Sequence, residues 1–186
     1  MKPISVLLAF TALFLTNESL DAQSTAGKKM LVVYFSHSSN TRIAAEQIAK
    51  ETGADLFEIV PEKAYPADYD TVVEQAKKEI NAGFRPALKT RVEDLGRYDV
   101  VFVGSPCWWS TVAPPVATFL SSYDFAGKTV VPFMTHEGSG MGRSEADIKK
   151  MCPGATVTEG LPIRGGSVRN AAPAVKKWLH KIGVTE

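Results

Sequence analysis

Two cysteines, Cys107 and Cys152, are all that the 186 residues contain, too few for a disulfide framework though enough for one bridge in an oxidising compartment. Three histidines and no Cys/His cluster leave a metal site without a ligand set. Lysine and arginine form no dense stripe and the formal net charge is +1, so electrostatics give no reason to propose a nucleic-acid partner. No GxxxxGK[ST] loop occurs, and no GxGxxG follows the first predicted strand, which excludes a Walker-type nucleotide site and a Rossmann NAD site. The longest apolar run, residues 4–15, is too short to serve as a permanent membrane anchor.

What is present is an ordinary globular composition, 45% hydrophobic, 22% charged and 9% aromatic, sufficient for one well-filled core. The first 26 residues stand apart from it: Lys2 is a short basic region, residues 4–15 are apolar, and residues 16–26 are polar with small residues. This is the layout of a cleavable secretory leader, with cleavage after Ala22 or Ala26. An exported protein, periplasmic or extracellular, is expected, with a cytoplasmic protein bearing an uncleaved leader as the alternative. No cysteine lies near the cleavage region to carry a lipid, and no arginine pair precedes the apolar run as twin-arginine export would require.

Five segments rich in Val, Ile, Phe and Tyr read as strands, at residues 30–36, 55–60, 98–104, 128–134 and 157–163. Runs such as Leu31-Val32-Val33-Tyr34-Phe35 and Val100-Val101-Phe102-Val103 are continuously apolar, as parallel strands buried on both faces are. Helical patterns alternate with them. Residues 41–52 stop at Gly53 and residues 68–82 at Gly83; Pro114 and Pro115 suit a first helical turn; Ser144 with Asp147 resembles a capping box for residues 144–151; residues 170–182 close the chain. Five strand–helix repeats without a linker predict a single α/β domain, residues 30–184, built as a doubly wound five-stranded parallel sheet with helices on both faces.

In such a sheet, ligands bind beyond the carboxyl ends of the strands where the winding reverses. After the first strand comes Ser36-His37-Ser38-Ser39-Asn40-Thr41-Arg42, whose hydroxyls, Asn40 amide and helix-start N–H groups would converge on a phosphate. The plainer reading of so Ser/Thr/Asn-rich a turn is a helix cap. After the third strand comes Ser105-Pro106-Cys107-Trp108-Trp109-Ser110-Thr111, where two adjacent tryptophans suit a flat aromatic ligand unless the rings fold back onto the core. After the fourth comes Thr135-His136-Glu137-Gly138-Ser139-Gly140, and the following Met141-Gly142 extends it into a GxGxG loop that lets backbone approach a ligand. His37 and His136 read as hydrogen-bonding loop residues rather than catalytic ones.

Taken together, the three loops resemble the flavodoxin family, in particular small bacterial flavodoxin-like proteins with SHTGNTR, PNWWGT and THGGSG-type loops. The resemblance runs from about Met30 to the C-terminus and includes Asp55-Leu56-Phe57-Glu58-Ile59-Val60-Pro61, Tyr65-Pro66 and Gly160-Leu161-Pro162-Ile163-Arg164-Gly165. It implies strand order 2-1-3-4-5 and FMN as cofactor, with the phosphate in the first loop and the ring between the second and third, at the switch point that the general account of this fold describes. The cofactor-binding residues it implies are Ser36, His37, Ser38, Ser39, Asn40 and Thr41; Pro106, Cys107, Trp108, Trp109 and Ser110; and Thr135, His136, Glu137, Gly138, Ser139 and Gly140. Ser39, Cys107 and Ser110 depart from the family's usual Gly, Asn and Gly, and a left-handed backbone at position 39 would cost a serine about 1 kcal/mol. Cys107 would stand near the flavin edge, as a tuner of its potential or as an inert small side chain, and Glu137 is the nearest carboxylate by sequence. The implied function is electron transfer through bound flavin, serving a redox partner protein or a small acceptor such as a quinone. An NAD(P)H-dependent quinone reductase and a flavin-binding domain without turnover are the alternatives.

Overall fold

The computed structural model describes residues 27–185, so the expected leader at residues 1–26 lies outside the described residues. Strand β1 (Met30–Tyr34) leads into helix α1 (Asn40–Thr52), β2 (Asp55–Glu58), α2 (Tyr69–Asn81) and β3 (Val100–Trp108). A short β4 (Thr111–Val112) turns back on β3, followed by α3 (Pro114–Ser121), β5 (Thr129–His136), α4 (Ser144–Met151), β6 (Thr156–Val157), β7 (Leu161–Arg164) and α5 (Ala172–Lys181). The sheet runs β2-β1-β3-β5-β6, with β7 also on β5 and β4 on β3. Among these described strands every pairing is parallel except β3 with β4.

The expected 2-1-3-4-5 order is therefore observed once the parallel strands are counted. Two features shift the numbering. The 108–111 region forms a tight hairpin, and the fifth strand is broken into β6 and β7. At the break, the Gly160 N–H donates to Glu145 Oε1 at 2.6 Å, and Met141 packs against the Gly160 backbone where a side chain would stand.

Period-2 alternation in the central strands builds two cores. Leu31, Val33 and Phe35 of the β1 segment, with Val101 and Val103 of β3, face Val116, Phe119 and Leu120 of α3 and Ile148 of α4. Val32 and Tyr34, with Val100 and Phe102, face Ala44, Ala45 and Ile48 of α1 and Val175, Trp178 and Leu179 of α5. Both faces being covered explains why these strands read as unbroken apolar runs.

Several boundaries and one cap differ from the sequence reading. Strand β3 extends to Trp108 and β5 to His136, because Ser105 and Pro106 stay in register with Met134 and Thr135, and Cys107 then pairs with Val112. The stretches read as loops are thus partly strand. The Ser144–Asp147 capping box is absent: Arg143 occupies the N-cap, the Ser144 hydroxyl is buried without a partner, and the Asp147 carboxylate is held by Thr111 and Arg143 instead. The last helix begins as a 3-10 turn at Gly165–Asn170 before α5.

At the sheet's centre, Phe133 of β5 lies over Gly104 of β3, so closely that a Cβ at position 104 would come within 2.2 Å of the ring. Gly104→Ala must push this ring or the strand aside, and overpacking of this kind costs about 1–3 kcal/mol. Urea denaturation should show a midpoint lowered accordingly; an unchanged midpoint would mean that the two strands are not so closely apposed.

Candidate functional site

A cavity of about 560 Å³ opens at the carboxyl end of the sheet, beside the β1/β3 junction. It brings together twelve of the expected site residues: His37, Ser38 and Asn40; Pro106, Cys107, Trp108, Trp109 and Ser110; and Thr135, His136, Glu137 and Ser139. Ser36, Ser39, Thr41, Gly138 and Gly140 are not on its wall.

The first loop divides between the two roles its sequence allowed. Ser36 is a helix cap, its Oγ accepting the Arg42 N–H at 3.2 Å. Thr41 is 1% exposed and its hydroxyl shares a 2.7 Å hydrogen bond with that of Thr135, tying the start of α1 to the end of β5. Ser39 sits at the N-cap with φ 70°, left-handed, and makes no side-chain capping bond. This leaves Ser38 Oγ and the Asn40 amide on the cavity wall, neither hydrogen-bonded to another described residue. The N–H groups of residues 38–41 likewise find no acceptor there. Unspent donors and the positive end of a thirteen-residue helix make a place for an oxyanion without any lysine or arginine. His37 is spoken for, its Nε2 donating to the Pro66 carbonyl at 2.7 Å.

The tryptophans have different fates. Trp108 folds inward, edge-on to Phe35 at 5.6 Å and to Tyr65 at 5.1 Å. Trp109 stays 44% exposed, its Nε1–H donating to the Val73 carbonyl at 3.0 Å and Lys77 capping its ring at 4.8 Å. The first ring folds back onto the core, the second stays half-exposed, and both border the cavity. Trp109 and Ser110 form the two-residue turn of the β3–β4 hairpin, with φ 49° and 63°. Two consecutive left-handed residues are the geometry such a turn requires and one in which glycine and asparagine are the comfortable occupants. Held by the Arg143 N–H at 2.7 Å, the Ser110 carbonyl also lies so close to Gly142 that a Cβ there would meet it at 2.4 Å.

Two contributions to the cavity's surroundings escape the sequence reading. Tyr69, Val72, Val73 and Ala76 bring α2 over the cavity. Their helical spacing was legible, but an apolar position facing a cavity and one facing a core share the same pattern, and Val72 and Ala76 are indeed buried. Gly165 abuts both Glu137 and Asn40: a Cβ there would lie 2.2 Å from Glu137 Oε1 and 2.5 Å from Asn40 Nδ2. The Gly165-Gly166 pair after the last strand was the available cue. Among the lining residues Glu137 is the one carboxylate, so the site is neutral to acidic and any anion in it depends on dipoles.

This fold with a cavity at its switch point defines a doubly wound α/β protein built to hold one flat, phosphate-bearing ligand. The chain matches the flavodoxin family over residues 29–182, and it belongs to that family. No curated protein matches it. Among solved structures it is similar to a protein described as a flavoprotein from Bacteroides eggerthii, with 36% identity, 85% of this chain and 99% of that one covered and a TM-score of 0.75. A similarly described protein from Bacteroides uniformis aligns at 34% identity over 83% of this chain and 99% of that one, with a TM-score of 0.73. A flavoprotein from Lactobacillus acidophilus, solved in complex with FMN, aligns at 28% identity over 81% and 98%, with a TM-score of 0.64. Family and complex agree with FMN as the expected cofactor, and Ser38, Asn40 and the bare start of α1 fit its phosphate.

Both cysteines are free thiols, so the single bridge the sequence allowed is not formed. Cys107 is part-buried on the cavity wall, whereas Cys152 is 1% exposed and burial pushes its thiol up to about 11. A thiol reagent should therefore label the native protein once, at Cys107, and saturating FMN should slow that labelling. Equal labelling of both thiols would contradict the burial of Cys152, and labelling of Cys107 indifferent to FMN would place it away from the ligand.

Proposed function

We propose that the chain is an FMN-binding electron carrier. The observation that carries this reading is the set of unspent donors at residues 38–41, which share one cavity with the half-exposed Trp109 ring: a phosphate at one end and a flat ring at the other satisfy both. When bound, FMN supplies the redox chemistry, and the chain's own residues hold and shield it. Ser38, Asn40 and the α1 N–H groups would take the phosphate. The backbone of residues 106–110 and of residues 135–140 would border the ring, with Trp109 as its exposed wall and Cys107 near its edge. Glu137, by placing negative charge at the site, would disfavour added charge on the ring and so lower its potential.

The partner would be a redox protein or a small acceptor such as a quinone, and the leader pattern of residues 1–26 supports an exported protein, periplasmic or extracellular. The alternative of an NAD(P)H-dependent quinone reductase draws on the same cavity. Its α2 wall of Tyr69, Val72, Val73 and Ala76 adds apolar surface on which a second planar molecule would pack. Against it, the cavity wall offers no lysine or arginine to a dinucleotide's phosphates.

Anaerobic mixing of FMN-loaded protein with NADH or NADPH separates the two. A carrier should show no flavin bleaching within seconds. Stepwise chemical reduction should then give a half-reduced spectrum that is not the average of the oxidised and reduced ones. Rapid bleaching followed by reoxidation with a quinone would replace the carrier reading with the reductase.

A further inference from the structure

A second cleft, about 210 Å³, lies between the C-terminal end of α2, strand β4 and helices α3 and α4, and shares no lining residue with the flavin cavity. Its floor is apolar, with Val112 and Ala117 buried and Pro114 beside them. Around the rim stand Arg85, Arg143 and Lys150, against the single carboxylate of Asp147.

That carboxylate is already committed. It accepts the Thr111 hydroxyl at 2.7 Å and Arg143 Nε at 2.8 Å, and Lys150 Nζ stands 4.0 Å from its other oxygen. Arg143 thereby has its Nε turned to Asp147, which leaves the two Nη groups of the fork without a hydrogen-bond partner among the described residues. Among the described residues Arg85 has no carboxylate partner: its guanidinium makes only long contacts, at 3.3 Å to the Gly83 and Phe84 carbonyls and 3.9 Å to Met151 Sδ. Three cations with one spent anion over an apolar floor is an arrangement complementary to a negatively charged head on an apolar body, and guanidinium forks match a carboxylate in particular.

We propose that this cleft binds a small organic carboxylate with an aromatic or short aliphatic body, its acid group between Arg85 and Arg143 and its body on Val112, Pro114 and Ala117. The volume admits a single ring and not a flavin. The site adjoins the flavin loop from behind. Thr111 pairs with Trp108 across the hairpin, and the Arg143 N–H is the donor that holds the Ser110 carbonyl. The proposal itself does not depend on FMN binding.

Benzoate is the probe, and benzamide, equal in shape but uncharged, is its control. Titrated into the isotopically labelled full chain, benzoate should shift the backbone amide resonances of Arg85, Thr111 and Arg143 saturably, in roughly the millimolar range expected of so small a ligand. Benzamide should bind about tenfold more weakly, since it forgoes a charge-assisted hydrogen bond. Arg85→Gln should lower benzoate affinity by a similar factor while its amide spectrum elsewhere and its FMN titration stay unchanged, Arg85 being exposed and off the wall of the flavin cavity. Equal affinity for benzoate and benzamide would overturn the assignment, as would shifts confined to residues 37–40 and 106–109, or an Arg85→Gln protein that binds benzoate as well as the parent.

Discussion

The bare N-terminus of helix α1 is the constraint on which the site depends. An α-helix always begins with N–H groups that its own backbone cannot satisfy, and a buried start usually recruits side chains for them. Here the recruitment is incomplete: Ser36 serves Arg42, Ser39 caps nothing, and Thr41 turns to Thr135. The parallel order places this end beside β3, because β1 pairs with β2 on one edge and β3 on the other and the chain winds in opposite directions from there. An anion at this point gains the dipole and the donors together, so sheet topology and local capping define a single place for it.

The second loop answers the first across the cavity, and does so at a local cost. Ser39, Trp109 and Ser110 are non-glycine residues in the left-handed region, each about 1 kcal/mol less favourable there than glycine. At the hairpin the strain is opposed by the Arg143 N–H on Ser110, the Trp109 indole on the Val73 carbonyl and the Lys77 ammonium on the ring. The first contact comes from the N-cap of α4 and the other two from α2, so the exposed ring is positioned by neighbouring elements rather than by its own strand. Strained backbone that is held this firmly belongs where a geometry must be kept ready.

The fold was legible because its cause is simple. Leu31 to Phe35 and Val100 to Val103 are apolar without a break, and only a sheet covered on both faces accounts for that. Three loops at strand ends supply twelve of the residues that line the cavity. What was not legible followed from contacts distant in sequence. The end of β3 was read as loop since nothing in Ser105-Pro106 announces its partners Met134 and Thr135. Ser144 and Asp147 have the spacing of a capping box, yet Thr111 and Arg143 claim the carboxylate first. The hydroxyls of Ser36 and Thr41 carry no mark distinguishing a cap or a cross-link from a phosphate ligand. The α2 wall was hidden for the opposite reason, as Val72 and Ala76 looked like ordinary core and are partly that.

The central claim is that the α1 N-terminus, with Ser38 and Asn40, recognises a phosphate while the Trp109 side of the cavity takes a ring. Comparing FMN with riboflavin by quenching of flavin fluorescence tests it most directly, since the two share the ring and differ in the phosphate alone. The account predicts that FMN binds at least about tenfold tighter, a difference of about 1.4 kcal/mol, and that Asn40→Ala narrows the gap by weakening FMN and not riboflavin. Equal affinity for the two flavins would contradict it and would reduce the first loop to a helix cap.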